Sequence, residues 1–244
     1  MRPTFFISDL HLCAERPLIT QLFERFIADT APVAETLYIL GDLFESWIGD
    51  DQLDADPLAK NVAQRLLGLA ATGTRIFFMH GNRDFLIGER FAREAGLEIL
   101  SDPTLVNIGN TRVLLMHGDT LCTDDVSYQA FRQQVRSTAW QQAILAKPIS
   151  ERLTLAQSIR SQSDVEKSMK PEAIMDVNAN TVSNVFHEQG YPVIVHGHTH
   201  RPARHEHSLS GHSCVRWVLQ DWYQVGGYLA HVDGAWYPTI LSAA

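Results

Sequence analysis

Short apolar runs recur along the chain and predict buried β-strands. Five of them are rich in β-branched and aromatic residues, as strands are. They occupy residues 4–8, 36–40, 75–79, 112–116 and 191–195. Between them, residues 17–28 and 57–69 carry apolar positions at helical spacing. Strands that alternate with helices predict an α/β domain.

Each apolar run ends in a small set of Asp, Asn, His and Gly residues. These sets are Asp9-Leu10-His11, Gly41-Asp42, His80-Gly81-Asn82-Arg83-Asp84, His117-Gly118-Asp119 and His196-Gly197-His198-Thr199-His200. Ordinary turn formation explains Gly41-Asp42 on its own, because Gly, Asn and Asp dominate turns. Turns do not call for histidine in Asp-x-His or His-x-His, so the whole set favours a metal centre at the carboxyl ends of the strands.

A long segment at about 122–190 separates the fourth and fifth strands. Its apolar spacing predicts three helices: 127–146, one capped by Ser150, and one between Pro171 and Gly190. Residue spacing leaves two interpretations open, helices packed on the core or a lid over the metal centre. Four polar residues, Arg160, Ser163, Lys167 and Lys170, would supply contacts where a lid meets the site, although spacing alone favours a solvated face.

The C-terminal part predicts further strands. Residues 215–219 and 228–232 alternate, and Asp233-Gly234 is a hairpin signal that leads into residues 235–237. We expect them to form an antiparallel part of a second sheet. Four histidines lie outside the motifs and are expected to be non-ligands: His205, His207, His212 and His231.

Composition narrows the class of protein. The 244 residues and 45% hydrophobic content fit a single domain at 1–244 with an insertion. The net charge of -8 disfavours a nucleic-acid binder, and nothing indicates an obligate protein partner. Three widely spaced cysteines indicate a reducing compartment. The N-terminus does not look like a signal peptide, and no apolar run is long enough to span a membrane, so we expect a cytoplasmic protein.

The five motifs, in this order, resemble those of the calcineurin-like metallophosphoesterases. The resemblance implies a four-layer sandwich of two mixed β-sheets flanked by helices, and a two-metal site. One ion would be held by Asp9, His11, Asp42 and His200, and the other by Asp42, Asn82, His117 and His198. A mixture of imidazole, carboxylate and amide ligands suits Mn²⁺, and we expect two Mn²⁺ ions per chain.

Arg83 stands where members of this family commonly carry histidine. A histidine there can protonate an alkoxide leaving group, whereas arginine remains charged at neutral pH. Guanidinium can instead bind a phosphate through two hydrogen bonds. We therefore expect a leaving group that is itself a phosphate, as in the hydrolysis of a phosphoanhydride.

A closer resemblance covers nearly the whole chain. The residues Cys122-Thr123-Asp124-Asp125, Tyr128-Gln129, Phe131-Arg132 and Ile174-Met175-Asp176-Val177-Asn178 resemble those of the UDP-2,3-diacylglucosamine pyrophosphatases of lipid A synthesis. This group hydrolyses UDP-2,3-diacylglucosamine to UMP and 2,3-diacylglucosamine 1-phosphate at the cytoplasmic face of the inner membrane. The resemblance implies attack on the UMP-side phosphorus by a metal-activated hydroxide, and a lid whose apolar stripes house acyl chains.

The same resemblance assigns residues to roles. Asp42, Asn82, Arg83 and His117 would be catalytic. Substrate would contact Asn82, Arg83, Asp125, Arg160, Ser163, Lys167, Lys170 and His198, although Lys167 stands where asparagine is expected. Two alternatives remain: a calcineurin-like phosphoesterase for a soluble nucleotide or another phosphoester, and a non-catalytic scaffold of the same fold. Preference for acylated substrate would exclude the first, and bound metal would argue against the second.

Overall fold

A computed structural model gives two mixed β-sheets and describes residues 2–169 and 172–242, without the side chains at 164, 166–169, 172 and 173. The first sheet has the order β11-β10-β1-β2-β3-β4, and the second β5-β6-β7-β9-β8. The strands are β1 Thr4–Ile7, β2 Thr36–Leu40, β3 Arg75–Met79, β4 Glu98–Leu100, β5 Thr104–Ile108, β6 Thr111–Leu115, β7 Val193–His196, β8 Ala203–Leu209, β9 His212–Val218, β10 Gly226–Val232 and β11 Ala235–Leu241. Strands β1 to β4 are parallel neighbours, as are β6, β7 and β9.

Helices cover the outer face of each sheet. They are α1 Pro17–Arg25, α2 Gln52–Ala55, α3 Pro57–Ala71, α4 Glu89–Ala95, α5 Val126–Val135, α6 Thr138–Leu145, α7 Ile149–Met169 and α8 Ala179–Glu188. Apolar residues of α1, α3 and α4 pack with alternate residues of β1 to β3, such as Phe5 and Ile7. Phe6 points the other way, into a core between the two sheets. A third cluster joins Phe186 of α8 to the second sheet. The four-layer sandwich is confirmed.

The two C-terminal strands belong to the first sheet, so their expected place in the second sheet is wrong. Strand β10 pairs antiparallel with β1, with Phe5 opposite Ala230, and β11 pairs with β10. The physical reason is that β1 is buried on both faces and would otherwise present an unpaired edge. Only β9 of this region lies in the second sheet, between β7 and β8.

The insertion is helical, but its boundaries differ from the prediction. The single helix expected at 127–146 is two helices, because Ser137 is extended and accepts a hydrogen bond from the Trp140 backbone N–H as the cap of α6. Ser150 lies inside the first turn of α7 and does not cap it. The last helix begins after its cap, Asn178, while Pro171 lies outside the described residues. No helix in the described part of the chain could cross a membrane. The single domain with an insertion stays a prediction.

Two acidic residues that follow β2 cap helices. Asp56 accepts hydrogen bonds from the first turn of α3. Asp50 lies far along the chain from α4 but caps it, accepting from the backbone N–H groups of Gly88, Arg90 and Phe91 at 2.9–3.1 Å. Because Gly88 at the start of α4 has no side chain of its own, this helix depends on a carboxylate from another segment.

We expect Asp50→Ala to lower the free energy of unfolding by about 2–3 kcal/mol, because several helix N–H groups lose a charged acceptor. Urea denaturation followed by circular dichroism would measure the change. Asp29→Ala, at an exposed carboxylate, is the matched control and should change stability little. Equal stabilities of the two variants would contradict the capping role.

Candidate metal centre

The five motifs meet where the carboxyl ends of the parallel strands of both sheets come together. Within the first sheet, the backbone N–H of Asp9 donates to Gly41 O at 3.0 Å. Across the second sheet, Gly197 N–H donates to His117 O at 2.9 Å. These backbone hydrogen bonds hold the loops together independently of their side chains. The five motifs therefore meet at the edge where the site is expected, and its assignment stays a prediction.

One group of side chains contains Asp9, His11 and His200. The Nε2 atoms of His11 and His200 lie 3.4 Å apart. Asp9 Oδ1 lies 3.5 Å from His200 Nε2, and Asp42 Oδ2 lies 3.8 Å from His11 Nε2. Four potential ligand atoms therefore converge on one small space.

A second group forms around Asn82. Its Oδ1 lies 3.0 Å from both His117 Nε2 and His198 Nδ1. Asp42 Oδ2 lies 3.9 Å from His117 Nε2, so the same oxygen borders both groups. The structure thus brings together all seven predicted metal ligands, in the two sets expected from the motifs. Their roles as ligands stay a prediction.

The donor atoms fit a cation. Asp9 Oδ1 is buried and has no hydrogen-bond partner among the residues that the structure describes. His117 Nδ1 lies 2.9 Å from Leu40 O, a pure acceptor, so Nδ1 carries a proton and Nε2 faces Asp42. Buried carboxylate oxygens and imidazole lone pairs that point at one another require a positive charge between them.

Electrostatics keep Asp9 and His198 in the form that binds a metal, whereas His117 holds a proton more tightly than usual. Burial alone would raise the pKa of Asp9, but the nearby imidazoles of His200 and His117 lower that pKa below its usual value. Burial and His117 lower the pKa of His198 to about 3, so its imidazole is neutral. Burial opposes ionisation of His117, but nearby carboxylates, Asp42 first, raise its pKa to about 9. A bound cation would compete with that proton.

Most of the predicted ligands have unusual backbone conformations. Five of the seven have positive φ: Asp9 at 55°, His11 at 50°, Asp42 at 54°, His198 at 66° and His200 at 51°. A non-glycine residue in this region costs roughly 1–2 kcal/mol. Strain of this kind persists only where surrounding structure enforces it, and it often marks functional sites.

Glycines in the motifs allow the loops to approach closely. A Cβ on Gly81 would lie 2.1 Å from Asp42 Oδ1, and a Cβ on Gly197 would lie 2.0 Å from Asp9 Oδ2. Neither distance is sterically possible. These glycines therefore serve close packing around two carboxylates as well as turn formation.

Two further carboxylates support the site, and neither was singled out from the sequence. Asp84 accepts hydrogen bonds from the backbone N–H groups of Gly81 at 2.8 Å and Leu43 at 2.6 Å. Burial and the charge of Asp42 raise its pKa to about 7. Asp119 accepts hydrogen bonds from Tyr128 Oη and Arg132 Nε, each at 2.7 Å. These bonds hold α5 against the loop that follows β6. Their positions in the Gly-Asn-Arg-Asp and His-Gly-Asp motifs were the only features of the sequence that could have indicated a role at the site.

A pocket of about 230 Å³ lies over the predicted ligands. Its lining includes five of the predicted substrate contacts: Asn82, Arg83, Asp125, Ser163 and His198. It also includes Tyr223, which sequence reasoning missed and which stacks on His11 with ring centres 5.1 Å apart. Lys170 and the side chain of Lys167 lie outside the described residues, so those two contacts stay predictions.

A larger cavity of about 730 Å³ adjoins this pocket, and Asn82 and Arg83 line both. Its walls are mainly apolar and come from the body of the protein and from α5, α6 and α7. They include Phe44, Trp47, Phe85, Phe131, Trp140, Leu153 and Ile159, with Arg160 among the polar residues. The apolar residues of the last predicted helix, such as Phe186, pack against the second sheet instead. Part of the insertion is thus a cavity wall and part is core packing.

Comparisons with known proteins agree with this geometry. The family model described as calcineurin-like phosphoesterase matches residues 2–202. A UDP-2,3-diacylglucosamine hydrolase of Aromatoleum aromaticum is 53% identical over 236 residues, covering 97% of this chain and 95% of that protein. The protein of the same name from Stenotrophomonas maltophilia strain K279a is 48% identical, covering 96% of each chain. One from Escherichia coli O81 is 48% identical, covering 91% of this chain and 92% of its own.

The family match includes every predicted ligand, from Asp9 to His200. Identity near 50% over almost the full length extends it through the insertion and the C-terminal strands. The chain belongs to the calcineurin-like phosphoesterase family.

Proposed function

We propose that this protein hydrolyses the pyrophosphate bond of UDP-2,3-diacylglucosamine, giving UMP and 2,3-diacylglucosamine 1-phosphate in lipid A synthesis. The observation that carries the proposal is the junction at Asn82 and Arg83, where the pocket over the predicted metal ligands adjoins an apolar cavity. Such a junction suits a substrate with a charged pyrophosphate and long acyl chains. The names of the relatives point to the same substrate.

Two Mn²⁺ ions are the cofactors that we propose. Asp9, His11, Asp42 and His200 would hold one, and Asp42, Asn82, His117 and His198 the other, with Asp42 shared. When bound, two such ions lower the pKa of a coordinated water and offset charge on the phosphoryl oxygens.

The chain's own residues would orient the pyrophosphate. Arg83 is fixed by its backbone N–H, which donates to Asp42 Oδ1 at 2.8 Å. Its Nε is buried and makes no hydrogen bond with any residue in the described part of the chain, so it can donate to a phosphate oxygen. Asn82 directs its Oδ1 to two histidines, which leaves its amide N–H groups available to substrate. We infer that these two residues position the UMP-side phosphorus for in-line attack.

The large cavity would receive the acyl chains. Burial of methylene groups stabilises the complex by about 0.8 kcal/mol for each group buried. A soluble nucleotide or simple phosphoester has no acyl chain to fill this cavity, so we favour the lipid substrate. Because such a substrate resides in a bilayer, we also propose peripheral association with the cytoplasmic face of the inner membrane.

Replacing a predicted ligand should remove metal and activity together. We expect His117→Ala to lower kcat/KM for UMP release by roughly 10²–10³-fold or more, and to reduce bound metal. Metal analysis and turnover with and without added Mn²⁺ would measure both effects. His205→Ala is the matched control, since this histidine lies on β8 outside the site. Normal metal content and turnover in His117→Ala would refute the assignment.

Filling the cavity should affect only acylated substrate. Ala156 on α7 lines the cavity, and we expect Ala156→Trp to raise KM for UDP-2,3-diacylglucosamine about tenfold or more, because the indole occupies space for a chain. Cleavage of the deacylated compound should be unchanged. Ala143→Trp, at an exposed position of α6, is the control. An equal loss with both substrates would show that the cavity does not bind the acyl chains.

Changing Arg83 should test the nature of the leaving group. We expect Arg83→His to slow pyrophosphate cleavage by roughly 10²-fold, because the phosphate loses a two-point guanidinium contact. An ester with an alkoxide leaving group should be affected less, since histidine can protonate it. Steady-state kinetics on both substrates would give the ratio. Faster pyrophosphate cleavage by the variant would exclude the phosphate leaving group.

A further inference from the structure

Glu45 is a buried carboxylate that lies among three arginines. Its side chain is only 6% exposed. The Oε2 atom forms an ion pair with Arg16 and lies 3.7 Å from His11 Nδ1. The Oε1 atom lies 3.3 Å from Arg160 Nη1 and 4.0 Å from Arg83 Nε. One carboxylate thus faces three guanidinium groups.

This cluster occupies the boundary between the two cavities. Glu45 and all three arginines line the large apolar cavity, and Arg83 also lines the pocket over the metal ligands. A phosphate that separates from UMP while its acyl chains remain in the cavity would be placed beside Arg83 and Arg160. The guanidinium groups of Arg83 and Arg160 therefore lie where the leaving group would develop negative charge.

The two sides of the Glu45 carboxylate are held differently. Arg16 is fixed independently, because its Nη2 donates to His11 O at 2.5 Å and its guanidinium lies 4.7 Å from the centre of the Tyr223 ring. On the Oε1 side, the contact to Arg83 is long, and Arg160 is 48% exposed. Solvent reaches Arg160 and screens its contact with Glu45, so this arginine can exchange partners. A phosphate oxygen can thus replace Oε1 without disturbing Arg16.

We propose that Glu45 is a positioning residue that acts as an exchangeable counter-anion for Arg83 and Arg160. The leaving phosphate takes over these two arginines when substrate binds, and the adjacent Glu45 carboxylate weakens retention of the monophosphate product. The inference rests on the proposed function for the identity of the product. It assigns to Glu45 a part in product release that is separate from the cleavage step.

The test measures binding of product to the metal-loaded protein. Isothermal titration with a short-chain 2,3-diacylglucosamine 1-phosphate should show about tenfold tighter binding to Glu45→Gln than to the unsubstituted protein, because a like charge beside the phosphate is removed. Steady-state kinetics should show stronger inhibition by this product and a lower kcat without a higher KM. Glu206→Gln, which removes the carboxylate paired with Arg204 on β8, is the matched control. It should change neither quantity.

Two further variants connect the effect to the arginines. Glu45→Asp withdraws the carboxylate from Arg160 and should give a smaller gain in affinity. In an Arg160→Gln background, Glu45→Gln should gain less than it does alone, because one of the two competing contacts is gone. Equal gains in both backgrounds would contradict the exchange.

An unchanged or weaker affinity for product in Glu45→Gln with full metal content would overturn the proposal. Loss of metal without a gain in affinity would also overturn it, and would instead assign Glu45 to orienting His11 through the 3.7 Å contact. Failure of the proposed function is recognised separately, by the absence of UMP release from UDP-2,3-diacylglucosamine with the unsubstituted protein.

Discussion

One buried carboxylate, Asp42, borders both groups of predicted metal ligands. Its Oδ2 lies between His11 and His117, while its Oδ1 is fixed by the backbone N–H of Arg83. This placement requires a left-handed backbone at Asp42 and a glycine at position 81, where any Cβ would collide with the carboxylate. Asp84 then holds the neighbouring backbone through its own hydrogen bonds. Displacement of Asp42 would therefore disturb both groups together.

Such a concentration of buried charge is costly unless it is compensated. Four aspartates at the site are almost completely buried: Asp9, Asp42, Asp84 and Asp119. The pKa values of Asp9 and Asp119 are lowered, so these two carboxylates remain charged. Histidines, Arg132 and backbone N–H groups supply part of the compensation. Two cations would supply the rest. A site that is strained and over-charged by itself is one that gains stability when it binds metal.

The sequence predicted those parts of the structure that depend on local patterns. Strands β2 and β3 have the expected bounds, since a buried parallel strand reads as a continuous apolar run. The residues that meet at the candidate site could be selected from the sequence because they directly follow such strands. Long-range features were not predictable in this way. Whether β10 joins the first or the second sheet depends on the open edge of β1, and the break at Ser137 depends on a side-chain cap within otherwise helical sequence.

Glu45 shows the same limit at the site itself. In the sequence it is one acid in a loop that contains several, and nothing in its spacing distinguishes it from Asp50 or Asp51. The fold gives the three different roles, because Asp50 caps α4 and Asp51 pairs with the buried Arg152 of α7. These roles follow from distant segments that the chain folds against this loop.

The loop after β2 fixes the cavity wall to the metal centre. Arg152 of α7 donates to Ile48 O at 2.6 Å, and Arg160 of the same helix reaches Glu45. Eight residues of α-helix span about 12 Å, so two points more than two turns apart on α7 contact one short segment, firmly at Arg152 and exchangeably at Arg160. That segment follows Asp42 directly. The start of α7, which forms part of the cavity wall, is therefore fixed to the loop that follows the shared carboxylate.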